Sequence, residues 1–149
     1  MKKINKQSGF TLIEILVVIG IIAILAAVVI VALNPARQFA QARNTQRSAN
    51  VNAILNAVWQ RMVDNKGLWS STCATATVTL PATATNIGTG VGLTNLEDCV
   101  VSTYLPSMVV DPSGGTAIDT GYTVARDASG RITVAAPSAE LNVTISVVR

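Results

Sequence analysis

The sequence predicts an α+β fold: one long N-terminal helix, apolar in its first half and amphipathic in its second, packed on a small antiparallel β-sheet head. Three observations predict it. Residues 15–33 form an unbroken apolar run of nineteen, interrupted only by Gly20. Val51, Ile54, Leu55, Val58 and Met62 then recur at helical spacing. From Gly67 onward the chain is rich in Thr, Val, Ala, Gly and Ser, with apolar and polar residues alternating as in half-buried strands.

The apolar run sets the class of environment. Half of the 149 residues are hydrophobic and only 13% are charged, few for a water-soluble domain. At ~1.5 Å of rise per residue the run spans roughly 28 Å, the thickness of a bilayer's hydrocarbon core. The rest of the chain is too small to bury such a helix on all sides.

Residues 1–9, MKKINKQSG, are short, polar and basic. In an ordinary secretory signal the small residues and the cut follow the apolar stretch. Here Ser8 and Gly9 precede it, so cleavage after Gly9 would leave the apolar helix on the mature chain. Lysines 2, 3 and 6 belong to this leader. Removing them takes the basic count from 11 to 8, equal to the 8 acidic residues. The net charge of +3 is therefore a property of the leader and gives no ground for nucleic-acid binding. Arg37, Arg43 and Arg47 follow the helix closely enough to balance the three lysines, so charge alone does not orient the chain across a membrane.

Asn34-Pro35 ends the apolar run. Proline interrupts or kinks a helix interior, and helical periodicity resumes at once, so one helix over Thr11–Lys66 with a kink near Pro35 is expected. Asn65-Lys66-Gly67 supplies its stop. In the head, Tyr122 and Val124 are followed by Ile132 and Val134 across Asp127-Ala128-Ser129-Gly130, the pattern of a β-hairpin. Leu141, Val143, Ile145 and Val147 alternate with Asn142, Thr144 and Ser146 as a third, half-buried strand. The segment from Cys73 to Cys99 reads as loops with a short strand at Ala76–Leu80, and Gly88-Thr89-Gly90-Val91-Gly92 as a flexible loop rather than a dinucleotide fingerprint. The domain plan is thus a leader at 1–9, a membrane-spanning or filament-core helix half at 10–34, an amphipathic half at 35–66 and a β-rich head at 67–149.

Glu14 is the residue with the most chemistry. A carboxylate inside a membrane helix costs at least ~2.5–3.5 kcal/mol, so it calls for a partner. Cleavage after Gly9 would create a cationic amine on Phe10, one helical turn away. Pairing that amine with Glu14, within a helix or on a neighbouring subunit, neutralises both charges and fixes the register between helices.

The string GFTLIEILVVIGIIAILAAVVI, residues 9–30, closely resembles the class III leader and helix of type IV pilins and type II secretion pseudopilins. The resemblance implies cleavage between Gly9 and Phe10 by a prepilin peptidase and N-methylation of Phe10. It implies storage in the inner membrane as a single-pass precursor, then assembly by pilus or secretion machinery into an extracytoplasmic homo-oligomeric filament in which Glu14 acts. Asp111-Pro112-Ser113-Gly114-Gly115 followed by Gly121-Tyr122 is also similar to a loop and strand of major pseudopilins. Pro35 lies later than the usual pilin kink, and the cysteines lie earlier than the disulfide of many pilins.

Two cysteines, Cys73 and Cys99, would sit in an oxidising compartment beyond such a helix, where a bridge is the ordinary outcome. It would close a loop of about 27 residues and stabilise by ~3.5 kcal/mol in the chain-entropy picture. No cofactor is expected. Asp111, Asp119 and Asp127 could assemble a calcium site, although their spacing follows no binding loop. Asn142-Val143-Thr144 has the form of a glycosylation sequon, which a half-buried strand in a bacterial filament would leave unused. The chain has no histidine, and no nucleophile sits beside an evident base, so an enzyme is not expected. A filament subunit is the leading reading, with pilus and pseudopilus as close competitors. A single-pass, membrane-anchored extracytoplasmic binding domain is the rival from another class.

Overall fold

A computed structural model describes residues 9–69, 72–73 and 76–149. The chain divides into two compact units, the first ending at Gln38 and the second running Phe39–Arg149.

In the first unit, helix α1 spans Leu12–Leu33 and none of its residues is buried. It ends at Asn34, whose φ of 41° and ψ of 75° are left-handed. Helix α2 spans Pro35–Asp64. The expected single kinked helix is therefore two helices, broken one residue before the proline. The physical reason lies in the dipeptide. A residue preceding proline is disfavoured in the right-handed helical region, and asparagine tolerates the left-handed one. The Asn34 Oδ1 then accepts the Arg37 N–H at 3.3 Å, capping a helix whose first residue is proline.

In the second unit, α2 buries Val51, Ile54, Leu55, Val58 and Met62, the face that the sequence marks as apolar, together with Ala40, Arg47 and Ala57. Burying each of the larger aliphatic side chains contributes ~1.5–3 kcal/mol. The helix stops in a Schellman arrangement: Gly67 N–H donates to Met62 O at 2.8 Å and Lys66 N–H to Val63 O at 3.2 Å. Lys66, at φ 59°, takes the left-handed position usually given to glycine, and Gly67 follows at φ 82°.

Beyond the helix, β1 (Thr72–Cys73) and β2 (Ala76–Thr77) form a small antiparallel hairpin. The strand expected over 76–80 is thus only two residues long. The Val78 carbonyl instead accepts the Trp69 indole N–H at 2.8 Å, and Val78 is buried. Next come β3 (Thr85–Asn86), the short α3 (Glu97–Val100), β4 (Thr123–Arg126), β5 (Ile132–Ala136) and β6 (Ile145–Val148). The four strands β3-β4-β5-β6 form one antiparallel sheet. Tyr122, Val124, Ile132 and Val134 join the α2 residues in a single hydrophobic core.

The β4–β5 hairpin forms as expected. Arg126 pairs with Ile132, the Gly130 N–H donates to Asp127 O at 3.0 Å, and Gly130 lies at φ 84°. The third strand begins later than its alternating pattern indicates. Leu141 and Asn142, at φ 60° and 56°, form a turn closed by Val143 N–H to Glu140 O at 3.3 Å, and both Leu141 and Val143 are exposed. Tertiary contacts of Glu140, described below, override the local β-propensity. The glycine segment 88–92 is also not a free loop. Thr89 and Gly90 donate to the carbonyls of Ala117 and Ile118 at 3.2 and 3.0 Å, and a side chain at Gly88 would run into the Ile118 carbonyl oxygen.

Candidate assembly site and the charged cluster of the head

Gly9 and Phe10 lie in exposed, non-helical chain immediately before the Thr11 cap of α1. Glu14 sits in the first turn, and it is the sole charged residue of α1. Its carboxylate accepts the Thr11 backbone N–H at 3.4 Å, while its own N–H donates to the Thr11 Oγ1 at 3.3 Å. This is a reciprocal capping box. It satisfies two of the orphan donors of the helix start and sets a negative charge against the positive end of the helix dipole. The spacing Thr11-x-x-Glu14 before an apolar run is the signal that would have found it, and reading Glu14 alone missed it. Beyond this charge the helix is uniformly apolar, with a mean hydropathy of 3.5 over its most apolar 18 residues. At ~1.5 Å per residue it is roughly 33 Å long, enough to cross a bilayer.

A second cluster ties α2 to two loops of the head. Arg47 is fully buried, and its Nε and Nη2 donate to the two Asp111 carboxylate oxygens at 2.6 and 3.1 Å. Nη2 also donates to Ser113 Oγ at 2.6 Å, and Nη1 to Glu140 and to the Asn44 amide oxygen at 2.8 and 3.0 Å. Arg43 grips the same Glu140 through two bonds of 2.7 and 2.6 Å, and Asn44 bonds both the N–H and the carbonyl of residue 140. Buried ions demand such full pairing.

The charges respond accordingly. Hydrogen bonds from Arg43 and then Arg47 hold the Glu140 carboxyl down at about 2, against an opposing desolvation. Burial pushes the Asp111 carboxyl up, but the bonds from Arg47 and the Ser113 N–H and the charge of Arg47 outweigh it, and the net shift is downward. The hydrogen bond to Asp111 raises Arg47 well above the ordinary guanidinium value. Arg43 and Arg47 thus bind carboxylates of the head, a use that their position just after the apolar helix does not reveal. Nothing in their local sequence separates a buried arginine from an exposed one.

The Asp111-Pro112-Ser113-Gly114-Gly115 loop has a local logic of its own. The Asp111 carbonyl accepts the Gly115 N–H at 3.0 Å, and the Asp111 N–H donates to Thr120 O at 2.8 Å. A Cβ at Gly115 would collide with both chains, so glycine is required there.

Cys73 and Cys99 are joined as expected, with their Cα atoms 4.7 Å apart and a sequence separation of 26. Arg61 spans the same two segments, donating to Cys99 O at 3.0 Å and Thr72 O at 2.7 Å, with its guanidinium 5.5 Å from the Trp69 ring. The aspartates considered for calcium are each engaged separately: Asp111 by Arg47, Asp119 by Asn86 and the Gly121 N–H, and Asp127 by Arg131. Among the described residues, no group of three or more His, Cys, Asp or Glu gathers as a metal site.

Residues 4–30, which hold Gly9, Phe10, Glu14 and most of α1, match the family described as the prokaryotic N-terminal methylation motif. The chain is also similar to the type IV wide pilus major component PilA4 of Thermus thermophilus, 39% identical over 83 residues. That alignment covers 56% of the chain and 62% of the relative. Motif and relative together support the type IV pilin family. No solved structure matches the chain.

Proposed function

We propose that the chain is a structural subunit of a type IV pilus-like filament, cut between Gly9 and Phe10 by a prepilin peptidase, N-methylated on Phe10 and assembled through α1. The carrying observation is α1 itself: 22 residues with none buried within the chain and one carboxylate, Glu14, in the first turn. Such a helix needs an apolar medium, first the inner membrane and then the packed helices of other copies. The relative is named as a pilus component, and a secretion pseudopilus is the second reading of the same helix.

Glu14 is the assembly residue in this reading. Among the described residues the Glu14 carboxylate meets a neutral donor, the Thr11 backbone N–H. Cleavage adds a cationic amine at Phe10, and a charge-assisted bond to such an amine is stronger than one to an amide. A subunit joining the filament presents its amine to the Glu14 of the one before it, neutralising both in a medium of low dielectric. The role is structural and requires no catalysis by this chain.

The test is the mass of the N-terminus in purified filaments. A chain beginning at a methylated Phe10 is expected. A chain retaining residues 1–9 in filaments would overturn the reading. Gly9→Val should leave full-length membrane precursor without filaments, since a branched residue there obstructs the peptidase.

A further inference from the structure

We infer that Asn142 is an acceptor for an N-linked glycan. Of the two grounds against the sequon Asn142-Val143-Thr144, a half-buried strand and a bacterial filament, the structure removes the first. Residues 141–144 are all exposed, and β6 begins only at Ile145. Asn142 stands at the third position of the turn Glu140-Leu141-Asn142-Val143, with φ positive at both central residues. An acceptor of this kind requires a surface position in an exported chain, so the inference rests on the extracytoplasmic location proposed above.

The turn carries a second mark. Asparagine tolerates the left-handed region, but leucine at φ 60° is strained, and such strain persists only where surrounding contacts impose it. Those contacts are the bonds that Arg43, Arg47 and the Asn44 amide donate to Glu140, and the one that the Glu140 N–H donates to Asn44 Oδ1. The buried cluster therefore holds the turn in a shape that local preference opposes, and the shape displays the Asn142 amide to solvent.

A glycan here also solves a problem of the fold. Ile132 and Arg149 exchange both backbone hydrogen bonds, so Val147 and Ile145, two and four residues earlier, also face β5. The backbone groups of Ser146 and Val148 then point outward along the edge of the sheet. Residues 141–148, LNVTISVV, carry no charge and no proline, and Leu141 and Val143 are 44% and 50% exposed. Natural edges of this kind are guarded by charges, prolines or a covering element. A hydrated oligosaccharide three residues before β6 supplies a cover that the side chains do not.

The step balances simply. The Asn142 amide nitrogen forms a bond to the anomeric carbon of a sugar carried on a polyprenyl diphosphate. The anomeric C–O bond breaks, lipid diphosphate leaves, and the amide proton passes to a base of the transferase.

The experiment uses filaments and membranes from the protein's own source. Trypsin cuts after Arg131 and releases residues 132–149 in one peptide, whose sole lysine or arginine is Arg149. Fragmentation that preserves side-chain modifications should place a sugar on Asn142. Asn142→Asp and Thr144→Val should both lose it, and Thr144→Ser should keep it, since a hydroxyl at the third position is what recognition needs. Aspartate also tolerates the left-handed turn, so its loss of the sugar is not a folding effect. An unmodified Asn142 in trimmed, filament-derived protein would overturn the inference and leave the filament reading standing. A sugar found on Thr144 or Ser146 instead would overturn it equally. An untrimmed chain with Asn142 bare would overturn both readings, whereas an untrimmed chain with Asn142 modified would keep this one and sink the other.

Discussion

Replacing Arg47 with methionine strands a carboxylate. The Arg47 and Asp111 side chains are 0% and 3% exposed, and Asp111 would keep only the Ser113 N–H of its bonded partners. Breaking a buried pair by removing one member costs ~3–5 kcal/mol, because the other charge stays buried without compensation. Domains of this size are stable by ~5–15 kcal/mol in total, and each kcal/mol moves the midpoint by about 4–8 °C near 100 residues. Arg47→Met should therefore lower the melting temperature of the head by roughly 15 °C or more. Near-UV circular dichroism of the full chain in detergent micelles reads this transition. Asp111→Asn should cost less, ~1.5–3 kcal/mol, since Arg47 retains Glu140 and neutral acceptors. The double variant should be more stable than the sum of the two losses predicts, because it contains no stranded charge. Lowering the pH should also narrow the gap between Arg47→Met and wild type, as the unpaired and buried Asp111 takes up a proton. A single variant within ~1 kcal/mol of wild type, or a strictly additive double variant, would refute the reasoning.

Three further outcomes follow from the same residues. The Glu140 carboxyl falls from an ordinary value of 4.5 to about 2 in the folded head, and that of Asp111 also lies below its usual 3.8. Both contribute stability that is fully present above about pH 4.5 and lost as pH falls toward 2, so a melting temperature flat across that window would contradict the cluster. Cys73→Ser with Cys99→Ser should cost ~2–4 kcal/mol in a chemical-denaturation series, and an intact mass of exported protein showing two free thiols would rule out the bridge. Glu14→Gln keeps the capping box, since glutamine serves at that position. It should be inserted and trimmed normally yet form few filaments by electron microscopy, with partial recovery when mixed with wild type. Wild-type filament numbers from the variant alone would remove the proposed role of the charge.

Much of this was legible before any coordinates. The nineteen-residue apolar run and the polar leader before it are one-dimensional signals, because helix length and hydropathy depend on neighbours along the chain. The α2 face of Val51, Ile54, Leu55, Val58 and Met62 and the Asp127–Gly130 hairpin were equally plain, since period and turn chemistry are local. The break at Asn34 was legible only as a disturbance near Pro35. Choosing a left-handed residue over a kink depends on backbone geometry that composition does not weigh.

What the tertiary structure decided is where long-range contacts outvote local preference. Arg43 and Arg47 read as flanking charges, yet they meet Asp111 and Glu140, which lie 64 to 97 residues away in sequence. No spacing rule encodes a partner at that distance. The same contacts bend residues 140–143 into a turn that their alternating pattern would make a strand, and so place Asn142 in solvent. Sequence by itself determined the apolar helix, the buried face of α2 and the β4–β5 hairpin, because these follow from the order of residues. The charged cluster and the exposed turn required the fold, because only folding brings α2 against both loops.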